Sequence, residues 1–372
     1  MTVHLSDIQD ARRLLDGIIN KTPTVADSRL SKETGGSVFL KAESMQKSGS
    51  FKIRGAYNTI SRLSDEEKDR GVIAASAGNH AQGVAYAAQL LGVRSTIVLP
   101  VHAPLTKVMA TKDLGAHVIM HGSTFDEAVA YSKELQQERG FTYVHAFDNP
   151  NVVAGQGTIG LEIVEALPEI STIIVPIGGG GLISGIAIAA KTLKPTVRII
   201  GVQSVNVSWV KPSLEAGHAV IPVPKPTIAD GIAVKTPGEL TLPLIQNYVD
   251  EIVEVSDEEV AHGIYHCVSH SHLVVEGAGA AGVAALLAGK FSVTPGETIC
   301  AVLCGGNIDA NLLARVLEQV LVRQGRYIML KVLVMDRPGM LAGLLDTVAD
   351  SGANVVEVFH RRAMWLAPLG RV

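Results

Sequence analysis

The sequence is poor in cysteine and in aromatic residues, and it has no long basic run. Three cysteines, Cys267, Cys300 and Cys304, occur among 372 residues, and 4% of the residues are aromatic. So few cysteines form neither a disulfide framework nor a zinc-binding motif, which suits the reducing cytoplasm. With a net charge of −4, neither nucleic acid nor an anionic membrane surface is an expected partner.

The sequence also lacks a convincing membrane segment. Residues 1–15 are typical of an amphipathic helix rather than of a signal peptide. Residues 173–190 carry no charge, but their four consecutive glycines and a proline would leave backbone groups without hydrogen-bond partners in lipid. A buried strand, a glycine loop and a buried helix explain this segment better.

Short apolar β-rich runs alternate with helical patterns along most of the chain. Strands that are apolar throughout are typical of parallel sheets covered on both faces, so the sequence predicts an α/β fold built from βαβ units. Two capping boxes, Ser64 with Glu67 and Ser256 with Glu259, support the helices predicted after them. The predicted strands are 72–75, 95–99, 117–120, 143–147, 172–177 and 197–202, and the predicted helices include 123–139, 158–166 and 182–193.

The last segment of the chain has an organisation of its own. A break is predicted near residues 323–326. Beyond it, residues 327–335, 338–351 and 354–360 have the patterns of a strand, a helix and a second strand. A β-α-β unit of this size leaves a sheet that needs further strands, so we expect it to be part of a larger module.

The strongest local signal is the run of four glycines, Gly178–Gly181, between a predicted strand and a predicted helix. Successive glycines let backbone N–H groups converge on an anion, and the N-terminus of the following helix adds a favourable partial charge. Because no Gly-Lys-Ser/Thr follows, the loop is not a nucleotide P-loop. We predict a phosphate-binding loop rather than a turn used only for packing.

Three other segments have two interpretations when each is taken alone. Lys52 lies between Phe51 and Ile53 and is either a surface cation or a lysine held for chemistry. The segment SAGNHAQG, residues 76–83, is either a carboxylate-binding loop at a helix N-terminus or a simple helix cap. Cys304, at a predicted strand end before two glycines, is either a small buried side chain or a group that faces a ligand.

The segment EGAGAAG fits a dinucleotide-binding pattern through Gly277, Gly279 and Gly282. In that pattern an acidic residue should stand at the end of the next strand, whereas Glu297 precedes the strand. We therefore predict that these glycines serve close packing of a helix.

A second misleading pattern is the ladder His262, His266 and His270, whose spacing could hold a metal. The apolar face of the same predicted helix lies roughly opposite, and no nearby carboxylate or cysteine completes a site. We expect these histidines to face solvent or a neighbouring subunit, without a metal.

Taken together, a lysine, a phosphate loop, a carboxylate-sized loop and a cysteine at a strand end describe a pyridoxal 5′-phosphate (PLP) site. Over roughly residues 5–322 the sequence resembles the fold type II PLP enzymes, and most closely the threonine dehydratases, also called threonine ammonia-lyases. The motifs that carry the resemblance follow the order of that family: SGSFKIRGA, SAGNHAQG, GQGTIGLEI, PIGGGGLISG, IADGIAV, EGAGA and CGGNID.

The resemblance implies two open, mostly parallel twisted sheets with the active site between two domains. Residues 1–57 and 146–322 would form a large PLP-binding domain, and residues 58–145 a small domain. A homodimer or homotetramer in the cytoplasm is expected.

Residues 327–372 resemble the beginning of an ACT domain, a small regulatory fold that binds amino acids. Asp336, Pro338 and Gly339 match the usual effector-loop pattern. The resemblance therefore implies a partial regulatory domain and an amino-acid effector. Because about twice this length would be needed for a complete module, we expect at most impaired effector binding.

The resemblance also implies roles for individual residues. Lys52 would hold PLP as a Schiff base and act as the general base, with Phe51 beside the ring. Asn79 would bind the ring hydroxyl, and Cys304 would face the pyridine nitrogen. Gly178, Gly179, Gly180, Gly181 and Leu182 would bind the phosphate, and Ser76, Ala77, Gly78, Asn79 and His80 the substrate carboxylate.

The implied reaction is a β-elimination that converts L-threonine into 2-oxobutanoate and ammonia, and L-serine into pyruvate and ammonia. Racemases of the same fold carry a serine where this chain has Ala77. They also carry two acidic metal ligands where it has Gln203 and Trp209, so neither racemisation nor a metal is expected. Serine racemase and threo-3-hydroxyaspartate dehydratase remain the alternative activities.

Overall fold

The computed structural model describes residues 2–360, and the chain divides into two compact units, Met1–Val320 and Leu321–Val372. Within the described residues, every strand lies in the first unit. The strands are β1 (Thr24–Ala26), β2 (Ser37–Lys41), β3 (Val72–Ala75), β4 (Ser95–Leu99), β5 (His117–Met120), β6 (Thr142–Tyr143), β7 (Thr172–Pro176), β8 (Arg198–Ser204), β9 (Glu251–Val255) and β10 (Thr298–Val302).

The strands form two open sheets. The larger has the order β1-β2-β10-β7-β8-β9, and the smaller has the order β5-β4-β3-β6. Only the β1–β2 pair is antiparallel among the described pairs. The prediction of two mostly parallel sheets is confirmed, and in both sheets the strand order changes direction, where open α/β sheets bind ligands.

The described residues form fifteen α-helices; those of the first unit pack on its two sheets, and α15 belongs to the second unit. They are α1 (Leu5–Leu15), α2 (Ser28–Thr34), α3 (Lys52–Ser61), α4 (Asp65–Arg70), α5 (Asn79–Leu90), α6 (Leu105–Asp113), α7 (Phe125–Arg139), α8 (Pro150–Ala166), α9 (Gly181–Leu193), α10 (Val210–Ala216), α11 (Thr241–Tyr248), α12 (Asp257–His266), α13 (Gly277–Leu287), α14 (Ala310–Arg323) and α15 (Met340–Asp350). Short 3₁₀ turns occur at Glu43–Met45, Lys47–Gly49, Val205–Val207 and Asp230–Ile232, and a π-helical turn at Cys267–Ser271.

The predicted capping boxes and the predicted strand-loop-helix segment are present. Ser64 with Glu67 begins α4, and Ser256 with Glu259 begins α12. The uncharged segment around the four glycines is β7, a loop and α9, all largely buried. Within residues 2–360, no helix has both the length and the apolar character needed to cross a membrane.

The predicted domain boundaries stay a prediction. The boundary expected between residues 57 and 58 falls inside α3. Ile53, Ala56 and Ile60 of that helix pack into the core of the smaller sheet, together with Val72 and Ile97. Thus α3 carries Lys52 at its first turn and joins the smaller core along the rest of its length.

Two predicted elements have the wrong bounds. The helix expected at residues 158–166 begins at Pro150, because Asn149 caps it by accepting from the N–H of Asn151 at 2.9 Å, and proline suits the first turn. The strand expected at 143–147 ends at Tyr143. Beyond it, the ring of His145 accepts from the N–H of Asp148 at 2.8 Å and turns the backbone away from the sheet.

In the second unit, one predicted element forms and two do not. The helix α15 is present, but residues 327–335 and 354–360 contain no strand. Strands require partners for their backbone hydrogen bonds, and two short segments make a marginal sheet without further strands. The expected β-α-β unit is therefore not confirmed for its strands, and residues 361–372 of the ACT-like segment lie outside the described residues.

The expectation that the histidine ladder faces solvent or a neighbouring subunit is wrong for His266. Its side chain is buried, and Nε2 lies 3.0 Å from Oδ2 of Asp27, a contact that joins α12 to the start of α2. The partner comes from a residue far along the chain, which the helical spacing does not reveal. Among the described residues, no cluster of His, Cys, Asp and Glu is arranged to hold a metal.

Candidate active site

A cavity of about 680 Å³ opens at the carboxyl ends of β3 and β7. Its walls come from elements of both sheets, because α3 and α5 lie on one side and the loop before α9 on the other. Every site residue predicted from the sequence lines this cavity: Phe51, Lys52, Ser76, Ala77, Gly78, Asn79, His80, Gly178, Gly179, Gly180, Gly181, Leu182 and Cys304.

Lys52 is the first residue of α3, and its amine is held inside the cavity. Nζ donates a hydrogen bond of 3.0 Å to the carbonyl of Ala146 and lies 5.0 Å from the centre of the Phe51 ring. Burial lowers the pKa of Lys52 from 10.5 to about 8, although Cys304 and Glu276 act in the opposite direction. Such an amine is a better nucleophile and base at neutral pH than a surface lysine.

The glycine loop, Gly178–Gly181, is shaped by contacts that exclude side chains. A Cβ on Gly179 would lie 2.2 Å from Cδ1 of Phe147, and one on Gly181 would lie 2.8 Å from the Phe147 carbonyl oxygen. Gly180 has φ +91°, a left-handed conformation that favours glycine. The loop leads directly into the N-terminus of α9, as an anion-binding loop requires.

The loop from Ser76 to His80 connects β3 to α5. Gly78 precedes the helix, and its N–H donates to Oγ of Ser76 at 3.2 Å. The ring of His80 donates from Nε2 to the carbonyl of Val144 at 2.8 Å. Burial, reinforced by Lys52, lowers the pKa of His80 to about 3, so the ring is neutral. The start of α5 therefore offers backbone N–H groups rather than a cation.

Asn79 is fixed on both sides of its amide. Its Oδ1 accepts a hydrogen bond of 2.8 Å from Asn307, and its Nδ2 donates one of 2.6 Å to Glu276. Asn307 also donates to the carbonyl of Ser48 at 2.9 Å. Because one N–H of the Asn79 amide is used by Glu276, the second remains available for a ligand in the cavity.

Cys304 follows β10 and faces the cavity from a buried position. Its carbonyl accepts from the N–H of Phe51 at 3.2 Å, which ties the strand end to the residue before Lys52. Burial raises the pKa of the Cys304 thiol well above its ordinary value. The cysteine thus presents a neutral, weakly hydrogen-bonding group.

Glu276 is a functional candidate that sequence reasoning missed. It lies immediately before α13, where an acid is unremarkable because it complements the helix dipole. Here its side chain is buried and lines the cavity, and burial, reinforced by Asp230, raises its pKa to about 7. The available signal was one carboxylate at the start of an otherwise small and apolar helix.

The glycines that follow Glu276 serve packing, as predicted. A Cβ on Gly277 would lie 2.3 Å from the carbonyl oxygen of Ile228, and one on Gly279 would lie 2.4 Å from that of Gly305. Close approach of α13 to these two segments explains the resemblance to a dinucleotide-binding pattern.

Gln203 and Trp209 have local hydrogen-bond partners. Oε1 of Gln203 accepts from the N–H groups of Trp209 and Val210 at 3.2 and 2.9 Å. The indole of Trp209 is buried and donates to the carbonyl of Gly178 at 2.9 Å. Both side chains are therefore used to organise the backbone behind the glycine loop.

Taken as chemistry, the cavity combines an amine, an anion-binding loop and a second helix N-terminus. The amine of Lys52 suits covalent attachment to a carbonyl compound, and the glycine loop suits a phosphate group. The start of α5 suits a carboxylate. These features fit PLP together with an amino acid.

Comparison with known proteins gives a consistent result. Residues 15–305 match the family model described as pyridoxal-phosphate dependent enzyme. The chain is 50% identical over 368 residues to an L-threonine ammonia-lyase of Thermotoga maritima, and the aligned region covers 99% of this chain and 91% of that protein. It is 46% identical over 319 residues to a catabolic L-threonine dehydratase of Staphylococcus aureus, and the aligned region covers 85% of this chain and 92% of that protein.

Solved structures are similar as well. The processed form of threonine deaminase isoform 2 from Solanum lycopersicum has a TM-score of 0.80 at 38% identity and covers 84% of this chain and 91% of that one. Maize serine racemase has a TM-score of 0.81 at 35% identity, and the matched region covers 87% of this chain and 100% of the racemase chain. Shape alone thus does not separate elimination from racemisation.

Proposed function

Because the chain belongs to the family of pyridoxal-phosphate dependent enzymes, we propose that it converts L-threonine into 2-oxobutanoate and ammonia, and L-serine into pyruvate and ammonia. One observation carries the proposal: the amine of Lys52 opens into the same cavity as the glycine loop. The names of the relatives that match at 46–50% identity support threonine as the substrate.

The residues of the cavity fit PLP. When bound, PLP draws electron density from the Cα atom of an amino acid and so makes its Cα proton more acidic. We assign Lys52 to the aldehyde carbon, Phe51 to the ring face, Asn79 to the ring hydroxyl, Cys304 to the ring nitrogen, and Gly178, Gly179, Gly180, Gly181 and Leu182 to the phosphate.

Lys52 also serves as the general base, once the amine of the substrate has taken its place at the aldehyde carbon and the Lys52 amine is free. With a pKa of about 8, part of the amine is unprotonated at neutral pH and can take the Cα proton. The bond from Cβ to the hydroxyl oxygen then breaks, and the hydroxyl leaves as water with the proton that Lys52 took from Cα. The released enamine adds a proton at Cβ and is hydrolysed in water to the 2-oxo acid and ammonia.

The substrate carboxylate is assigned to the loop Ser76, Ala77, Gly78, Asn79 and His80. The backbone N–H groups at the start of α5 are suitable donors, and the helix N-terminus favours negative charge. His80 contributes position rather than charge, because its neutral ring is bound to the carbonyl of Val144.

Elimination is favoured over racemisation by the residues that this chain has at three positions. A racemase needs a proton donor on the face opposite the lysine, and Ala77 has no ionisable group. Gln203 and Trp209 bind backbone groups, so they are unsuited to a metal. Racemisation remains the alternative because the fold is also that of maize serine racemase.

The test is to incubate the PLP-loaded protein with L-threonine, L-serine and threo-3-hydroxyaspartate, and to measure 2-oxo acid release. We expect L-threonine to be converted fastest, and chiral chromatography to detect no D-amino acid. Preferred conversion of hydroxyaspartate, or accumulation of D-serine without 2-oxo acid, would contradict the proposed reaction.

The matching variants test the assigned base. Lys52→Ala should abolish 2-oxo acid release, whereas Lys112→Ala, which removes an exposed lysine of α6, should leave it unchanged. Substantial release by the Lys52→Ala protein would show that another group removes the Cα proton.

We further propose a cytoplasmic homo-oligomer with an amino-acid effector site in residues 327–360. The three free cysteines support a cytoplasmic location. The effector-loop pattern at Asp336, Pro338 and Gly339 supports the effector site. Calorimetry on the Lys52→Ala protein should detect at most weak amino-acid binding that Asp336→Ala weakens further, and sedimentation should give a mass above one chain. Amino-acid binding that Asp336→Ala leaves unchanged, or a monomeric mass, would contradict the corresponding part of the proposal.

A further inference from the structure

We propose that Trp209 and Thr241 are positioning residues that hold the glycine loop from behind, so that its N–H groups face the cavity. The inference rests on the proposed binding of PLP. It concerns two side chains, both fully buried, that do not line the cavity themselves.

Two consecutive carbonyls of the loop are bound on the side away from the cavity. Nε1 of Trp209 donates to the carbonyl of Gly178 at 2.9 Å, and Oγ1 of Thr241 donates to the carbonyl of Gly179 at 2.7 Å. The donors come from residues 31 and 62 positions further along the chain. They are therefore tertiary contacts that the glycine motif does not contain.

The geometry of the peptide bond converts these contacts into an orientation. In a planar trans peptide, the C=O of one residue and the N–H of the next point in opposite directions. Fixing the Gly178 carbonyl therefore fixes the N–H of Gly179, and fixing the Gly179 carbonyl fixes the N–H of Gly180. Within residues 2–360, neither of these N–H groups has a hydrogen-bond acceptor, so both remain available for an anion.

The backbone of each of these two residues, Trp209 and Thr241, is itself held in place. Oε1 of Gln203 accepts from the N–H of Trp209 at 3.2 Å. Oδ1 of Asp148 accepts from the N–H of Thr241 at 3.3 Å. A run of four glycines is conformationally flexible, and ordering a flexible loop on binding an anion would cost conformational entropy. The two hydrogen bonds restrict the loop before the anion binds, which reduces that cost.

The test compares PLP with pyridoxal, which lacks the phosphate, on protein freed of cofactor and then reloaded. Trp209→Phe and Thr241→Val each remove one donor. Each should weaken PLP binding about tenfold, as expected for a lost buried hydrogen bond, and leave pyridoxal binding unchanged. Thr241→Ser keeps the hydroxyl and should restore the affinity for PLP.

A second measurement does not depend on catalysis. The phosphorus-31 NMR signal of bound PLP should shift in Thr241→Val and return toward the wild-type position in Thr241→Ser, because the donors around the phosphate change orientation. Thermal unfolding of each variant identifies any variant that fails to fold. If Trp209→Phe fails to fold, the comparison of Thr241→Val with Thr241→Ser tests the proposal.

The possible outcomes separate the two proposals. Wild-type protein that fails to bind PLP would overturn the proposed function. If wild-type protein binds PLP, then unchanged affinity in Trp209→Phe and Thr241→Val would overturn the positioning role alone. Equal losses of affinity for PLP and for pyridoxal would also overturn the positioning role, because they would indicate a general disturbance of the cavity.

Discussion

The amide of Asn79 donates a hydrogen bond of 2.6 Å to the carboxylate of Glu276, which lies 197 residues further along the chain. The contact joins the start of α5 to the start of α13 across the cavity. It gives Asn79 one fixed orientation, because Asn307 binds the other end of the same amide. An amide held in this way can recognise a ligand without first losing rotational freedom.

Glu276 also predicts an unusual pH dependence of stability, because its burial, reinforced by Asp230, raises its pKa although the Asn79 contact acts in the opposite direction. The pKa of Glu276 is raised from 4.5 to about 7, so the native state binds this proton more tightly than the unfolded state does. Its contribution is therefore fully present below pH 4.5 and is lost as the pH rises through about 7, by roughly 3 kcal/mol. Glu276→Gln cannot ionise, so its stability relative to wild type should rise by about 2 to 3 kcal/mol between pH 5 and pH 8.

Urea unfolding of cofactor-free protein at the two pH values measures this change. The matched control is Glu138→Gln, which alters an exposed carboxylate of α7 and should show a difference close to zero. An advantage of Glu276→Gln that stays constant with pH would mean that Glu276 titrates normally in the folded protein.

The outcome for Glu276 shows where sequence reasoning reached its limit. Lys52 and the glycine loop could be identified from the sequence because each belongs to a motif of contiguous residues. Glu276 belongs to the site only through a partner on another helix. Trp209 and Thr241 likewise act on carbonyls that tertiary structure brings to them. Local patterns do not encode such contacts.

The fold shows the same limit. Parallel strands such as β7 and β8 could be predicted because burial on both faces makes them apolar throughout. The segments at 327–335 and 354–360 have suitable residues, but a strand also requires neighbours with which to pair. Likewise, His266 is buried because Asp27 meets it from α2, which a helical spacing of histidines cannot reveal.

Arg54 is predicted to be essential for stability, because it lies at the centre of a buried ionic network. It is two residues after Lys52 on α3, and it binds Glu43 at 2.7 Å and Glu162 at 2.6 Å. Both Arg54 and Glu43 have side chains that are 0% exposed. Removing one partner of a buried pair leaves the other charge uncompensated, so Arg54→Leu should lower the free energy of unfolding by about 3 to 5 kcal/mol.

Urea unfolding measures this loss, with Arg13→Ala as the control. Arg13 pairs with Asp10 on the surface of α1, where the arginine is 73% exposed, so its removal should cost less than about 1 kcal/mol. If Arg54→Leu cost no more than Arg13→Ala, the buried network would not stabilise the start of α3.

Gly179→Ala is predicted to impair cofactor binding specifically. The added Cβ would lie 2.2 Å from Cδ1 of Phe147, so either the loop or the ring must move. The backbone of Phe147 also packs against Gly181, which restricts retreat of the ring, and movement toward the cavity would narrow the phosphate site. Overpacking of this kind costs about 1 to 3 kcal/mol, and a cost of that size paid on cofactor binding corresponds to roughly 5- to 150-fold weaker PLP affinity.

Titration of the cofactor-free Gly179→Ala protein with PLP measures this weakening. The matched control is Gly343→Ala in α15, where a Cβ meets nothing within 4 Å. Alanine should leave PLP affinity unchanged there and should stabilise the helix by up to about 1 kcal/mol, because alanine is the better helix former. If Gly179→Ala bound PLP as tightly as wild type, the phosphate would not depend on the close approach of the loop to Phe147, and the assignment of Gly179 to the phosphate would be wrong.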